Sequence, residues 1–350
     1  MSQEKYVAYV GTYTHGSSIG IHVYDLDVEN GYMKERAVVP VNNASHITKS
    51  NNGKYLYSIA DEGVAVLRID QNGDLTPVNH VGIDGMRGCF LSVNQEGNKL
   101  FVAGYHDGKI TVVKINEDGS LGNVMDGIFH RGLGSVAERN FRPHVSCAMP
   151  TPDGKYLCVV DNGIDQIKLY KVNANGKLRL YDVLRCELES GPRLIRFSPD
   201  GKFAYVVCEL SNEILAYSYD GSGKSPKFEL LQKVKTIGTV NEGACAASGL
   251  RIAPSGKYLY SSTAGDESVA IFQIDQQTGM LSHICTLPIS GRYPKDLEIF
   301  PDEKTLVVLN HESNDIRFFH IDYEKKIIVQ KGRPIKVETP NCILISKVEQ

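Results

Sequence analysis

The sequence predicts an all-β fold, a closed seven-bladed β-propeller with four antiparallel strands in each blade. Three observations support this prediction. One tight turn recurs through the chain, short β-rich runs follow each copy, and the two ends of the chain complete one another. The 350 residues are 42% hydrophobic and 23% charged, which is ordinary for a globular protein with a large core. No linker interrupts the pattern, so we expect one domain over residues 1–350.

The recurring turn has the form Asp-Gly-Lys or a close variant. Glycine after Asp or Asn supplies the positive φ that a tight hairpin turn needs. The glycine or its counterpart is found at Gly53, Gly97, Gly154, Gly201, Gly256 and Glu303. The intervals between these positions are 44 to 57 residues, and a β-rich repeat of about 45 residues is typical of propeller blades.

The runs between the turns have the pattern of half-buried strands. From Val64 to Ile69 every second residue is apolar, as expected for a strand with one face in the core. A second turn then follows, as at Asn72-Gly73 and Asp118-Gly119. Each repeat therefore provides four strands, which we call A to D from the channel outward.

The two ends of the chain predict how the ring closes. Residues 6–14 and 20–25 have the pattern of strands B and C, with no strand A before them, and residues 340–346 have the pattern of a lone strand A. We expect these segments to share one blade. Their pairing would close the ring and leave no open sheet edge.

Composition argues against several classes of partner. The net charge is −3, which does not favour nucleic acid or an anionic membrane, and no apolar run reaches the roughly 18 residues of a membrane span. The N-terminus has no signal-peptide pattern, and the eight cysteines form no C-x-x-C pair. We therefore expect a cytoplasmic protein, a monomer or weak homodimer, with reduced cysteines. No cluster has metal-site spacing, so we expect no metal and no cofactor.

Aligning the repeats on the turn predicts which residues surround the channel mouth. Strand A begins eight residues before the turn residue, and strand B ends eight residues after it. Among these positions we select a set of polar candidates: Arg193, Lys295, Ser146, Ser248, Glu209, Asp61 and His311. We expect them to gather at one end of the channel.

Two long insertions, 125–143 and 236–247, flank the blade that carries Arg193 and Glu209. Loops longer than a scaffold requires are common sites of binding and catalysis. The first contains Arg142 and leads into His144. Because residues two apart on a strand share a face, His144 is expected to point toward the same rim as Ser146.

The second insertion contributes Glu242 and Gly243. Its place beside the same blade makes it a second candidate wall of the site.

At these residues the chain resembles the β-propeller lactonase family, which includes bacterial propeller-type 6-phosphogluconolactonases and fungal carboxymuconate-lactonizing enzymes. The resemblance runs nearly end to end and rests on the order of several short motifs. These are Val10-Gly11-Thr12-Tyr13-Thr14, Asn43-Ala44-Ser45, Arg142-Pro143-His144, Gly191-Pro192-Arg193, Glu209-Leu210 and Pro294-Lys295-Asp296.

The resemblance implies hydrolysis of a sugar lactone, specifically 6-phosphogluconolactone to 6-phosphogluconate in the pentose phosphate pathway, with His144, Arg193 and Glu209 as catalytic residues. In lactone hydrolysis His144 would activate water, and Arg193 would stabilise the oxyanion. Glu209 would orient one of them. Arg142 and Lys295 could hold a phosphate group at the rim.

Two other functions remain open. One is ring closure or opening of a muconate-type acid by the same three residues. The other is a non-catalytic propeller that binds a metabolite or a protein. Departures from the family pattern motivate the latter. Ser146 stands where a second His is common, and the sixth blade reads Ser262-Thr263-Ala264-Gly265 where the family often has Asn-Arg-Gly, so that its Arg is lost.

Overall fold

The computed structural model describes residues 4–61, 63–238 and 244–348, and its strands form seven four-stranded sheets. Every pairing within these sheets is antiparallel, as at β1 with β2 (Tyr6–Thr12 and Gly20–Asp27). The sheets follow one another along the chain as the blades of a propeller. The predicted all-β, seven-bladed architecture is confirmed.

Blades 1 to 4 take their strands in chain order, apart from the inner strand of blade 1. Blade 1 contains β28 (Pro340–Lys347), β1 (Tyr6–Thr12), β2 (Gly20–Asp27) and β3 (Tyr32–Pro40). Blade 2 contains β4 (Ile47–Lys49), β5 (Tyr55–Ala60), β6 (Gly63–Ile69) and β7 (Leu75–Gly82). Blade 3 contains β8 (Phe90–Val93), β9 (Lys99–Gly104), β10 (Lys109–Ile115) and β11 (Leu121–Phe129). Blade 4 contains β12 (Val145–Pro150), β13 (Leu157–Asp161), β14 (Gln166–Val172) and β15 (Leu178–Arg185).

Blades 5 to 7 repeat this order. Blade 5 contains β16 (Pro192–Phe197), β17 (Phe203–Cys208), β18 (Glu213–Asp220) and β19 (Lys227–Lys235). Blade 6 contains β20 (Ala246–Ile252), β21 (Tyr258–Ala264), β22 (Ser268–Ile274) and β23 (Leu281–Pro288). Blade 7 contains β24 (Pro294–Ile299), β25 (Thr305–Asn310), β26 (Asp315–Asp322) and β27 (Ile327–Lys336). A short 3₁₀ turn spans Asn162–Ile164, and no helix among the described residues is long and apolar enough to cross a membrane.

The last strand closes the ring against the first. β28 pairs antiparallel with β1, so that Tyr6 lies opposite Lys347 and Val10 lies opposite Ile343. This makes β28 the inner strand of blade 1, as the lone A-type segment predicted. Blade 1 thereby joins the two ends of the chain, and the hydrogen bonds between them replace two open sheet edges.

The recurring turns have the predicted backbone conformation. The φ angle is positive at all five turn glycines, from 67° at Gly154 to 74° at Gly53. Glu303 keeps the same left-handed conformation, with φ 57°, although its side chain makes that conformation less favourable. The sixth turn, in which Glu303 replaces the glycine, therefore belongs to the repeat.

The abundant tyrosines join neighbouring blades. The Tyr9 hydroxyl donates to the Gly73 carbonyl of the next blade (2.8 Å), and the Tyr57 and Tyr205 hydroxyls do the same to Gly119 and Gly279. Each ring fills the apolar space between blades, and each hydroxyl satisfies a carbonyl of the following blade's turn. The apolar ring and the polar hydroxyl of each tyrosine both contribute, which explains how the core can be rich in Tyr and contain no Trp.

β-bulges near the start of strand A shape the channel wall. In blades 4, 5 and 7 the pairing of strand A with strand B skips one residue, namely Ser146, Arg193 or Lys295. In blade 6 it skips Ser248 and Gly249. A bulge inserts an extra residue and redirects side chains, and it is often found beside active sites.

Candidate active site

The inner strands surround a cavity of about 280 Å³ at the mouth of the central channel. All seven blades contribute to its wall, including Asn341 and Cys342 of the closing strand. Four of the predicted strand-A residues line it: Ser146, Arg193, Ser248 and Lys295. Arg193 and its neighbour Leu194 both face the cavity, which a regular strand would not allow and the bulge explains.

Glu209 lies between two arginines in this wall. Its Oε2 accepts a hydrogen bond from Arg193 Nη1 (2.5 Å), and its Oε1 accepts one from Arg139 Nη1 (2.7 Å). The carboxylate is only 3% exposed. Burial acts to raise the pKa of Glu209, but the two guanidinium groups outweigh it and hold the pKa below its ordinary value. The sequence prediction that Arg193 and Glu209 lie together agrees with this geometry.

The backbone around the pair is fixed by neighbouring blades. The Glu209 N–H donates to the Gly191 carbonyl (2.7 Å), which ties the end of β17 to the start of β16. The Ser146 hydroxyl donates to the Arg193 carbonyl across the blade boundary (2.8 Å). Ser146 therefore supports Arg193 from behind while lining the cavity.

Lys295 is the second cation of the mouth. The Ser248 hydroxyl of blade 6 donates to the Lys295 carbonyl of blade 7 (3.0 Å). Ser146 of blade 4 makes the same contact with Arg193 of blade 5. The Lys295 ammonium lies 5.2 Å from the centroid of the Tyr293 ring and forms no ion pair within the described residues. Burial and the nearby Arg193 lower its pKa. Such an ammonium favours an anionic ligand, which would restore its charged form.

His144 is held at the side of the site rather than against Glu209. Its Nδ1 donates to the Tyr105 carbonyl (2.7 Å), and its ring stacks on the Tyr105 ring with centroids 4.3 Å apart. No hydrogen bond joins the ring to Arg193 or Glu209 in the described part of the chain. The expectation of a shared face with Ser146 overlooked the bulge between them, which breaks the two-residue alternation.

Tyr105 connects His144 with the cavity, because its ring stacks on the His144 ring and belongs to the cavity wall. It lines the cavity, and burial together with Glu209 raises the pKa of its phenol to about 12. The phenol is therefore neutral at physiological pH and able to donate a hydrogen bond.

A buried carboxylate fixes the backbone of His144. Asp161 Oδ1 accepts from the backbone N–H groups of His144 (2.8 Å) and Gly163 (3.1 Å), and its Oδ2 contacts His130 Nδ1 at 2.7 Å. Burial lowers the pKa of His130, so the neutral ring donates to Asp161. The insertion before β12 thus supplies His130 to hold the entry of this strand.

His144 and the three other predicted residues lie outside the cavity wall. Arg142 is exposed and donates to the His106 carbonyl (3.4 Å). His311 lies behind the lining rings of Tyr13 and Tyr293, with centroids 5.6 and 5.8 Å away. Asp61 lies beside a separate groove of about 900 Å³ on blade 2.

Asp61 has a structural partner there, because it accepts from Asn43 Nδ2 (2.6 Å). Asp61, Glu209 and His311 each directly follow strand B, so a common offset from the turn fixed their place in the blade but not the direction of their side chains. Glu242 and Gly243 of the second insertion lie outside the described residues.

Several lining residues were not selected from the sequence. Arg139 lies in the first insertion, where its contact with Glu209 depends on the path of the loop. Arg196 and Arg251 each lie five residues before a turn glycine. An alignment of the repeats would have shown an arginine at the same position of strand A in two blades, and this signal could have identified both residues.

Charge distinguishes this cavity from the rest of the molecule. Five cationic side chains line it, namely Arg139, Arg193, Arg196, Arg251 and Lys295, against the carboxylates of Glu209 and Asp296. The whole chain has a net charge of −3, so positive charge is concentrated at the channel mouth. Low-dielectric walls strengthen the attraction of such a site for anions. No group of three or more His, Cys, Asp or Glu residues in the described ranges could hold a metal ion.

Fold and cavity together define a propeller with a cationic small-molecule site on its axis. The family model for seven-bladed β-propeller lactonases matches residues 7–345. The chain belongs to this lactonase family, as its motifs indicated.

Individual relatives cover almost the whole chain. It is 34% identical over 345 residues to a 6-phosphogluconolactonase of Bacillus subtilis, covering 97% of this chain and 98% of that protein. The periplasmic gluconolactonase of Pseudomonas aeruginosa has a TM-score of 0.93 and 26% identity, covering 98% of this chain and 99% of the other. A protein of Lactobacillus plantarum has a TM-score of 0.89 and 28% identity, with coverage of 98% and 100%.

Proposed function

We propose that this chain hydrolyses a phosphorylated sugar lactone, 6-phosphogluconolactone, to 6-phosphogluconate. The observation that carries the proposal is the excess of cations in the axial cavity of a lactonase-family propeller. A lactone ring alone offers no charge to match them, whereas a phosphate group does. The similarity to the Bacillus subtilis 6-phosphogluconolactonase supports the same substrate. A phosphorylated sugar does not cross membranes freely, which favours a cytoplasmic reaction.

Arg193 is the proposed donor that stabilises the oxyanion of the reaction. Attack of water on the lactone carbonyl places negative charge on its oxygen, and a preorganised donor in a buried site stabilises that charge strongly. Glu209 accepts from Arg193 Nη1 and holds the guanidinium in place. Although burial acts to lower it, the pKa of Arg193 is raised by Glu209, so the donor stays charged.

His144 is the proposed base. The Tyr105 carbonyl can only accept, so the hydrogen on the neutral ring is at Nδ1 and the Nε2 lone pair is available. Nε2 has no hydrogen-bond partner among the described residues. His144 is not among the residues that line the cavity, so the ring would have to turn toward it to take a proton from the attacking water as the new C–O bond forms. The ring C–O bond then breaks, and that proton passes to the departing hydroxyl oxygen.

The direct test compares lactones with purified protein. We expect 6-phosphogluconolactone to open faster than its spontaneous hydrolysis, and faster at equal concentration than unphosphorylated glucono-1,5-lactone. His144→Ala should lower the catalysed rate about 10²-fold or more, the usual contribution of a general base. An exposed histidine variant, His283→Ala, is the matched control and should keep the wild-type rate.

Other outcomes would overturn the proposal. Equal rates for wild type, His144→Ala and the uncatalysed reaction would exclude catalysis. Tight binding of 6-phosphogluconate without turnover would instead favour a non-catalytic binding propeller. Turnover of a muconate-type acid, with none of the sugar lactones, would favour the lactonizing reaction of the fungal relatives.

The lowered pKa of Lys295 gives a pH-dependent prediction. A bound anion favours the charged ammonium and raises its pKa again, so binding takes up a proton when the free protein has lost it. The affinity for 6-phosphogluconate should therefore fall as pH rises through the lowered pKa of Lys295, below the ordinary range of a lysine. Lys295→Arg should remove this fall, because guanidinium stays charged throughout. Titration calorimetry at several pH values would check it, and identical profiles for the two proteins would contradict it.

A further inference from the structure

A second group of charged residues lies deeper in the same cavity. We call His46, Arg196, Arg251 and Asp296 the inner tier; all four line the cavity that Arg193 and Glu209 line at its mouth. Arg196 follows Arg193 by three positions in β16, which corresponds to roughly 7–10 Å along a bulged strand. The mechanism proposed above uses none of these four residues.

Arg251 is neutralised by its neighbours. Its Nη2 donates to Asp296 (2.8 Å), and its Nε donates to Glu298 (3.2 Å). Nη2 also approaches the Ile343 carbonyl at 3.3 Å, which ties blade 6 to the closing strand. These contacts account for the charge of Arg251 and for Asp296, the one carboxylate of the tier.

Arg196 has no comparable partner. Its Nη1 donates to the carbonyl of the preceding residue, Ile195 (3.0 Å), and its guanidinium lies 5.2 Å from the centroid of the Phe90 ring. It forms no ion pair in the part of the chain that the structure describes. Burial and the nearby Arg251 lower its pKa, against smaller opposing effects of Cys147 and Asp296. A cation in this position favours an anionic ligand, because an uncompensated buried charge is costly.

His46 adds a neutral donor beside that cation. Its Nδ1 accepts from the Leu91 backbone N–H (3.1 Å), so the hydrogen of the neutral ring is at Nε2. Burial, Arg196 and Arg251 lower its pKa well below the ordinary value, and the ring stays neutral. Nε2–H has no hydrogen-bond partner among the described residues and belongs to a ring on the cavity wall.

We propose that the inner tier is an oxyanion subsite in which Arg196 and His46 Nε2–H bind the phosphate group of the substrate. The lactone ring then lies above it, with its carbonyl toward Arg193. The separation of the two tiers along β16 is comparable with the distance between phosphate and carbonyl in a phosphorylated six-carbon lactone. The identity of the substrate rests on the proposed function; the anion site itself does not.

This arrangement differs from a phosphate site at the rim. Arg142, a rim candidate, is exposed and lies outside the cavity wall, and Arg292 is 76% exposed and pairs with Glu312. Exposed cations attract anions weakly because solvent screens them. The enclosed tier is the stronger candidate.

The test measures binding, so it does not require turnover. Wild type, Arg196→Met and Arg196→Lys are titrated with 6-phosphogluconate and with gluconate. We expect Arg196→Met to weaken 6-phosphogluconate about 10- to 100-fold, as for loss of a charged hydrogen bond, and to change gluconate less than about 2-fold. Arg196→Lys should retain part of the affinity. Equal losses for the two ligands, or no loss for 6-phosphogluconate, would overturn the subsite.

Controls separate binding from folding. Arg179→Met makes the same change at an exposed position of β15 and should bind as wild type. Thermal unfolding of each variant shows whether the fold is intact, and Arg196→Lys provides the test if Arg196→Met does not fold.

Competition with inorganic phosphate shows whether the inner tier binds the phosphate group of the sugar ligand or a separate anion. If inorganic phosphate competes with 6-phosphogluconate in the wild type and no longer does so in Arg196→Met, the tier binds the ligand's own phosphate. If both bind together, the tier is an independent anion site and the proposal is wrong. Failure of the proposed function would look different: 6-phosphogluconate would bind through Arg196, yet no lactone would be hydrolysed.

Discussion

Arg193→Met is expected to lower kcat/KM for 6-phosphogluconolactone about 10²- to 10³-fold, the usual loss when an oxyanion donor is removed. Arg193 is the only strand-A residue whose guanidinium contacts Glu209 among the described residues, and it lies on a bulge that faces the cavity. Methionine keeps much of the side-chain volume and removes every donor. Steady-state kinetics with correction for spontaneous opening provide the measurement.

Two further variants isolate the cause. Removing Arg193 leaves the buried Glu209 carboxylate with only one of its two cations, Arg139, so Arg193→Met/Glu209→Gln removes this less well compensated charge as well. If the double variant regains stability but not activity, the loss is catalytic. Arg193→Lys keeps the charge without the fork geometry and should be intermediate. Wild-type kcat/KM in Arg193→Met would exclude Arg193 from the reaction.

Asp161→Ala is expected to lower the free energy of unfolding by at least about 3 kcal/mol, since three buried donors lose their acceptor at about 1–3 kcal/mol each. These donors are the backbone N–H groups of His144 and Gly163 and the ring of His130. Asp161 is completely buried, so water cannot replace the lost acceptor. Denaturant unfolding measures the change.

Activity should fall with stability in this variant, because the strand entry that carries His144 loses its anchor. Asp161→Asn retains one acceptor oxygen and should lose less than Asp161→Ala. Asp182→Ala, at an exposed position of β15, should change the free energy by less than about 0.5 kcal/mol. If Asp161→Ala also lowered the free energy of unfolding by less than about 0.5 kcal/mol, the carboxylate would not be what holds the site together.

The repeat made the fold predictable. Turn glycines with positive φ and strands of alternating polarity are local features, and each was found where the sequence placed it. Closure was equally predictable, because a lone A-type segment at one end and a missing strand A at the other admit a simple pairing.

The site was predictable only in part. Arg193, Lys295, Ser146 and Ser248 were found from their common offset before the turn, which works because strand A has six or seven residues in each of blades 4 to 7. The offset after the turn found Glu209 in the cavity wall but failed for Asp61 and His311, because it does not fix the direction of a side chain that directly follows strand B. His144 was expected to face the cavity beside Ser146, and the bulge between them changed its direction.

The sequence by itself determined the blade repeat, the closure of the ring and the family, because these depend on local turns and on spacing along one chain. The tertiary structure alone decided which side chains meet. Arg139 and Glu209 are 70 positions apart, and Arg196 and Arg251 face one cavity from different blades. Such contacts depend on loop paths, bulges and the approach of blades around the axis, and none of these is expressed in a local pattern of residues.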